Sequence, residues 1–204
     1  MTPRLVIVTV AAVAVLVMGC GSESRTDRPA KAIARWTVEI DRDHGFSVEL
    51  PSGWIRASGK ITPQITDPLE ILTVATLPIA GADPHGVCEP GSRPALAGFT
   101  EHDALVTLQE SGRGALRINP LSHPPRPDRF RPESFPDGST FTGCFVADLP
   151  VEDHWFGFAD AGRAFHVLVI IGRAAPRHVR DEAWSILDRL RFDPRVRPDW
   201  NAST

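Results

Sequence analysis

The segment RAFHVLVIIG (Arg163–Gly172) constrains the fold more than any other part of this chain. Read with a period of two, it is apolar on both sides. One side carries Phe165, Val167, Val169 and Ile171, and the other carries Ala164, Leu168 and Ile170. A strand that is buried on both faces needs cover on both faces. The chain must therefore build a sheet that is packed on either side.

Several other segments also have strand patterns. His154–Asp160 is expected to pair with residues 163–172 through the turn Asp160-Ala161-Gly162. RWTVEID (35–41) and GFSVELP (45–51) alternate apolar and polar residues around the turn signal Asp43-His44-Gly45, which predicts half-exposed strands near a sheet edge. The remaining strand candidates are Glu70–Ile79, Ala104–Glu110, Ala115–Ile118 and Thr140–Asp148.

The clearest helix pattern lies near the C-terminus. Pro176 suits a first helical position, and Asp193-Pro194 is expected to end the element. One apolar stripe at helical spacing, flanked by Trp184, consists of Val179, Ala183, Ile186, Leu187 and Leu190. The helix is expected to lie across the sheet, and residues 93–102 are expected to hold a second, short helix.

These elements predict one α+β domain at residues 35–195, with an antiparallel sheet covered by the C-terminal helix and by a second shorter helix or loops. A chain of 204 residues is long enough to bury a core of that size. Residues 196–204 are expected to be a disordered tail, and the protein is expected to be a monomer. The formal net charge of -3 gives no electrostatic basis for binding nucleic acid.

The N-terminus has the pattern of an export signal. A single positive charge precedes an apolar run, Leu5–Met18, that is too short to span a membrane. The run ends in Val17-Met18-Gly19-Cys20, which resembles the bacterial lipobox. That resemblance implies removal of residues 1–19 and acylation of Cys20, whereas an ordinary signal peptide with an incidental cysteine is the alternative. Residues 20–34 then read as a flexible tether, and the domain would be anchored to the outer face of the cell membrane.

Two further cysteines remain once Cys20 is assigned to lipid. An exported chain meets an oxidising environment, so Cys88 and Cys144 are predicted to form a disulfide. The alternative is that Cys144 is a buried free thiol in a strand and Cys88 lies in a loop.

Residues 119–138 contain six prolines, which excludes a central strand. The simpler interpretation is a long surface loop. The other is an extended segment that binds a protein partner, because an extended chain loses little entropy when it docks.

The stretch GFSVELPSGW (Gly45–Trp54) resembles the opening strand of PsbP-like domains and is similar to mycobacterial lipoproteins of the LpqN type. Asp67–Val74 and Ala183–Phe192 are similar to the next strand and the closing helix of that family. The resemblance implies an antiparallel sheet sandwiched by helices, and a mostly noncatalytic role in binding proteins or small ligands. It supplies no catalytic residues.

No nucleophile, phosphate-loop or metal-ligand motif is present in the sequence, so neither a cofactor nor a metal is predicted. His166 shares a strand face with Ala164 and Leu168, where a buried imidazole would titrate abnormally and could line a pocket. The more common case for such a position is a core histidine whose hydrogen bonds are satisfied, and we favour that interpretation. The leading hypothesis is a membrane-anchored extracytoplasmic binding module of unknown ligand. The alternative is a hydrolase-like envelope enzyme with a site assembled around His154, Asp160 and His166.

Overall fold

Two antiparallel sheets and one α-helix make up the part of the chain that the computed structural model describes, residues 35–63, 65–81, 96–112, 123–135 and 149–196. Sheet A has the order β1-β2-β8 and sheet B the order β3-β4-β5-β7-β6. The strands are β1 (Trp36–Asp41), β2 (Phe46–Pro51), β3 (Ile55–Arg56), β4 (Leu69–Ala75), β5 (Ala104–Ser111), β6 (Val151–Asp160), β7 (Arg163–Gly172) and β8 (Arg191–Phe192). Helix α1 spans Arg177–Asp188.

Strand β7 confirms the prediction made from its apolar pattern. It lies inside sheet B between β5 and β6, and all of its residues except His166 are buried. The predicted hairpin with β6 is also confirmed, with Asp160 paired to Arg163. Ala161 and Gly162 both have positive φ, 51° and 72°, as the tight turn of a two-residue hairpin requires.

One face of sheet B is covered jointly by sheet A and helix α1. A single apolar cluster joins Phe46, Val48 and Leu50 of β2 to the alternate residues of β5, β6 and β7 and to the buried stripe of α1. That stripe contains Ala183, Ile186 and Leu187, as the helical spacing predicts, and Trp184 is buried with them. The α+β class is thus confirmed in outline, although strands dominate and form two sheets where one was expected.

The opposite face of sheet B carries a second, smaller apolar cluster. It packs Leu105, Leu168 and Ile170 of the sheet against Ile61 and Ile79 from the connecting segments, with Leu96 and Phe99 also buried there. The second helix predicted at 93–102 does not continue through the described residues 96–102, where Leu96 alone has 3-10 helical geometry and turns follow it. Loops therefore supply the described cover on this side.

The apolar side chains of β1 point to the opposite face of sheet A from the apolar side chains of β2. Asp41, Glu39 and Thr37 stand opposite Phe46, Val48 and Leu50, so the polar side of β1 shares the inner face of sheet A. The apolar side points outward, and Val38 and Ile40 are 60% and 67% exposed. The edge position predicted for this hairpin holds for β1, but β2 is the middle strand of its sheet.

A buried ion pair ties the β1–β2 turn to sheet B. The Arg163 guanidinium donates to Glu110 through Nε at 2.6 Å, and both side chains are 3% exposed. The same guanidinium donates to the backbone carbonyl oxygens of His44 at 2.8 Å and Gly45 at 3.3 Å. These bonds fix the turn between β1 and β2.

Both predicted ends of the helix are corrected. Pro176 is the N-cap residue, with φ -56° and ψ 148°, and the first helical position is Arg177. The helix ends at Asp188, before Asp193-Pro194, because Arg191 and Phe192 form β8 and pair with Ser47 and Phe46. Pairing of Arg191 and Phe192 with β2 therefore replaces a further turn of the helix.

Several predictions lie outside the described residues: the strands at 115–118 and 140–148, the N-terminal segment and the three cysteines. No helix among the residues described is long and apolar enough to cross a membrane.

Candidate functional site

His166 lies on the face of sheet B that points away from sheet A. It stands opposite Gly157 on β6 and Gln109 on β5, which places all three on one side of the sheet. The Trp155 ring stacks on the His166 ring with centroids 5.5 Å apart. The ring of His123, from the proline-rich segment, meets it edge-on at 4.8 Å.

Glycine at position 157 makes room for the second imidazole. A Cβ atom at Gly157 would lie 2.7 Å from Nδ1 of His123, closer than side-chain atoms tolerate. The absence of a side chain at this strand position therefore lets His123 come against the sheet beside His166. The pair of rings depends on a specific residue of β6.

Besides Oδ2 of Asp153, which lies farther along the same face of β6, four buried polar atoms in this region lack a hydrogen-bond partner within the described part of the chain. They are the Nε2 atoms of His123 and His166, Oε1 of Gln109 and Oγ of Ser111. Such atoms are rare in native proteins, and bound water, an ion or a ligand commonly satisfies them. We call these four residues together with Trp155 the histidine cluster.

The orientation of Gln109 follows from a neighbouring carboxylate. Glu70 is buried and accepts from the backbone N–H groups of Ile61 and Thr62 at 3.0 and 2.7 Å, and from the Thr62 and Thr73 hydroxyls at 2.7 and 2.6 Å. The Thr62 hydroxyl oxygen in turn accepts from Nε2 of Gln109 at 2.9 Å. Since the amide nitrogen is engaged there, the amide oxygen remains as an acceptor in the cluster.

Both imidazoles are neutral at neutral pH. Burial, with a smaller contribution from repulsion by a protonated His123, lowers the pKa of His166 to about 4, and Asp67 acts in the opposite direction. Burial also lowers the pKa of His123 below its usual 6.5. A neutral imidazole has one nitrogen that accepts a hydrogen bond, so the cluster offers a ligand hydrogen-bond acceptors and no positive charge.

The other two residues predicted for a site lie elsewhere. His154 points to the helix side of sheet B, where its ring meets Trp184 edge-on at 5.2 Å. Asp160 shares that side of β6 and forms an ion pair with Arg126 at 2.9 Å. His166 is on the opposite face, so the structure does not bring these three residues together.

The described part of the proline-rich segment, residues 123–135, packs against the fold. Pro125 forms a parallel bridge with Ala159 at the edge of β6 that is turned away from β7, a position at which proline is tolerated. Phe130 is fully buried, and its backbone N–H donates to Asp188 at 2.7 Å. The surface-loop interpretation therefore misses an anchored core residue, and the partner-binding role stays a prediction.

A second concave region lies at one end of sheet A. This cleft of about 430 Å³ is bounded by the ends of β1, β2 and β8 and by the turn that follows β8. Ile40 and Phe192 supply apolar surface, and Arg42 and Arg191 are also part of its lining.

Sequence reasoning identified His166 but missed His123, Gln109 and Ser111. A signal for β5 was available, because Thr107, Gln109 and Ser111 place three polar side chains on one side of a buried strand. Nothing local in the sequence indicates His123, which reaches the sheet only through the path of the proline-rich segment.

Comparisons with protein-family models, with curated proteins and with solved structures found no match for this chain. Within the described residues, no group of three or more histidine, cysteine or acidic side chains is arranged to hold a metal ion.

Proposed function

We propose that this protein is a lipid-anchored extracytoplasmic binding module whose ligand site is the histidine cluster. The observation that carries the proposal is the set of four buried polar atoms, two of them on neutral imidazoles, that have no hydrogen-bond partner among the described residues. The cost of leaving such atoms unpaired is about 1–3 kcal/mol each, and a ligand that pairs them recovers it. Gln109 Oε1 is an acceptor, so the ligand is a small polar molecule that carries N–H or O–H donors.

The binding experiment is a screen of small amine, amide and alcohol fragments, followed by NMR of the imidazole nitrogens. Binders are expected to shift the resonances of His166 and His123, and His166→Ala is expected to weaken them at least tenfold. His178→Ala is the matched control, because His178 is exposed on helix α1. Fragments that bind equally well to the His166→Ala protein would place the ligand elsewhere.

The anchor is proposed from the N-terminal pattern, in which the apolar run stops at Gly19-Cys20. Acyl chains on Cys20 would retain the protein at the membrane, since each buried methylene contributes about 0.8 kcal/mol. The expected result is that Cys20→Ser moves the protein into the soluble fraction or the medium. A variant that stays with the membrane would contradict lipid attachment at this residue.

We also propose the PsbP-like family for the domain. In support, the stretch Gly45–Trp54 forms β2 and the turn that follows, and Trp54 is buried with its Nε1 donating to Glu182 of α1 at 3.0 Å. The family pattern has helices on both sides of the sheet, whereas the described residues contain one α-helix and a short 3-10 helix, Pro132–Ser134. The assignment therefore depends mainly on the opening strand.

The enzyme alternative is not proposed. Its site needs His154, Asp160 and His166 on one side of the sheet, and they lie on two. A neutral His166 without a carboxylate hydrogen-bonded to it in the described residues also lacks the orienting partner of a general base.

A further inference from the structure

The outer face of sheet A exposes an apolar stripe that the fold itself does not use. This face is formed by Val38 and Ile40 of β1, Ser47 and Glu49 of β2, and Arg191 of β8, as the strand pairing requires. Trp36 lies at the end of the same side of β1, where it is half-buried and packs against the main core cluster. Val38, Ile40 and Ile55 are the exposed large hydrophobic residues of the described chain, so two of the three lie side by side here. Adjacent exposed apolar side chains commonly mark a contact surface.

The exposure follows from interactions on the inner side of the strand. Arg56 donates to Asp41 at 2.8 Å and lies 3.9 Å from Glu39, which holds the polar side of β1 against the domain. Rotating the strand to bury Val38 and Ile40 would break both ion pairs. The apolar stripe is therefore held outward by the native structure.

Cations flank the stripe at both ends. The Arg189 guanidinium lies over the Trp36 ring at 4.1 Å and pairs with Glu49. At the other end, the cleft next to Ile40 is lined by Arg42 and Arg191. Nη1 of Arg191 also donates to the backbone carbonyl oxygens of Asp188 and Leu190, both at 2.7 Å. Two carboxylates border the cleft: Asp41 is engaged by Arg56, and Asp193 accepts the Arg195 backbone N–H at 2.9 Å. An apolar centre with arginine and tryptophan at its margins suits the headgroup region of a phospholipid surface.

The position of β1 in the chain favours a membrane as the occupant of this face. Strand β1 is the first described element after residues 20–34, and if that segment is the flexible tether proposed from its sequence, its reach is roughly 20 Å. We propose that the outer face of sheet A docks on the anionic phospholipid surface in which Cys20 is anchored. Val38 and Ile40 enter the headgroup region, and Arg42 and Arg191 meet phosphate groups. This inference depends on the lipid anchor proposed above.

A small contact is sufficient because the anchor keeps the domain at the membrane. Tethering turns docking into an intramolecular event with a high effective concentration, so a contact too weak to bind a free protein still orients an anchored one. The consequence is a defined orientation. Sheet A covers one side of sheet B and the histidine cluster lies on the other, so the cluster faces away from the membrane.

The test uses the acylated full-length protein in vesicles of phosphatidylcholine and phosphatidylglycerol with brominated acyl chains. Bromine quenches tryptophans that enter the membrane, and Trp36→Phe identifies the contribution of Trp36 among the five tryptophans. Quenching is expected in the wild-type protein, and Val38→Ser/Ile40→Ser is expected to reduce it several-fold. Ile55→Ser is the matched control, since Ile55 is exposed on sheet B, and it should behave as wild type.

The outcomes separate this inference from the lipid anchor. An anchored protein whose Trp36 is not quenched, or whose quenching survives Val38→Ser/Ile40→Ser, overturns the docking and leaves the anchor in place. Equal quenching in pure phosphatidylcholine overturns the role of the arginines. If the wild-type protein sediments as a dimer and these substitutions dissociate it, the outer face of sheet A is an interface between two copies of the chain and the docking is overturned. A Cys20→Ser protein that fractionates as wild type overturns the anchor and the docking together. Circular dichroism on every variant checks that the fold is unchanged.

Discussion

Strands β1 and β2 have the same alternating pattern and opposite environments. β2 buries Phe46, Val48 and Leu50 in the main core, whereas β1 turns Val38 and Ile40 to solvent. The two strands are adjacent and paired along their whole length. The comparison shows that an alternating pattern identifies a strand and its two sides, but does not by itself decide which side is buried.

The turn between the strands accounts for the difference. Pairing of Asp41 with Phe46 puts an acidic residue of β1 on the same face as an aromatic residue of β2. A register shift of one residue would reverse this arrangement along the strand. Arg163 holds the turn through the carbonyls of His44 and Gly45, and Arg56 neutralises the inward carboxylates. The register is therefore fixed by contacts with sheet B.

The largest effect is expected from removing the cation that holds the turn. Arg163→Met leaves the Glu110 carboxylate buried and unpaired, which should lower the free energy of unfolding by about 3–5 kcal/mol. The measurement is urea denaturation at neutral pH. The double variant Arg163→Met/Glu110→Leu should recover much of the loss, and a double variant no more stable than the single one would contradict this account.

A direct comparison of the two strands comes from matched truncations. Phe46→Ala removes a ring that is 3% exposed and should cost about 3–5 kcal/mol. Ile40→Ala, on the neighbouring strand, should change stability by no more than about 0.5 kcal/mol, because Ile40 is 67% exposed. Similar losses for both variants in urea denaturation would mean that Ile40 is buried in solution.

The free energy of unfolding should also fall as the pH is lowered from about 6.5 to about 4, because His166 in sheet B resists protonation in the folded protein. Its pKa is about 4 in the folded protein and about 6.5 when unfolded, so in this window the unfolded chain binds the extra proton. The loss should be about 1–2 kcal/mol once solvent screening is allowed for. Denaturation midpoints of His166→Gln should depend less on pH across the window. His178→Gln should keep the wild-type profile.

Strand β1 should contribute a smaller pH dependence of stability, at lower pH than that of His166, through Asp41. Burial alone would raise the pKa of Asp41, but hydrogen bonds from Arg56 and His44 outweigh it and hold the pKa below 3.8. The stabilisation is present above the unfolded pKa and is lost as pH falls through the lower folded value. Arg56→Gln should remove about 0.5–1 kcal/mol at neutral pH and flatten the profile below about pH 4. An unchanged acid limb in this variant would contradict the role given to Arg56.

Much of sheet B and the helix followed from local patterns. Three predicted features appear in the structure: β7 is apolar on both faces, the chain turns at Ala161-Gly162, and α1 buries an apolar stripe. These features depend on neighbours in sequence, which is why period and turn chemistry were sufficient. The C-terminal end of α1 differs from the prediction because β8 is defined by pairing with a strand more than a hundred residues away in the chain.

The site was less predictable than the fold. His166 was recognisable because it interrupts an apolar strand face, but its neighbours come from β5, β6 and the proline-rich segment. Gly157 matters only through the Cβ it lacks, and its effect on His123 exists only after the segment has packed. Such contacts are set by tertiary packing and leave no local pattern.

By itself, the sequence determined that this chain forms a sheet buried on both sides, one amphipathic helix and a hairpin at Asp160–Arg163. Apolar period and turn residues act over a few positions, so they can be read directly. The tertiary structure alone decided which side of β1 faces solvent and which polar atoms meet around His166. Both outcomes depend on long-range partners, Arg56 and Arg163 in one case and His123 and Gln109 in the other, and register and burial exist only when distant strands have come together.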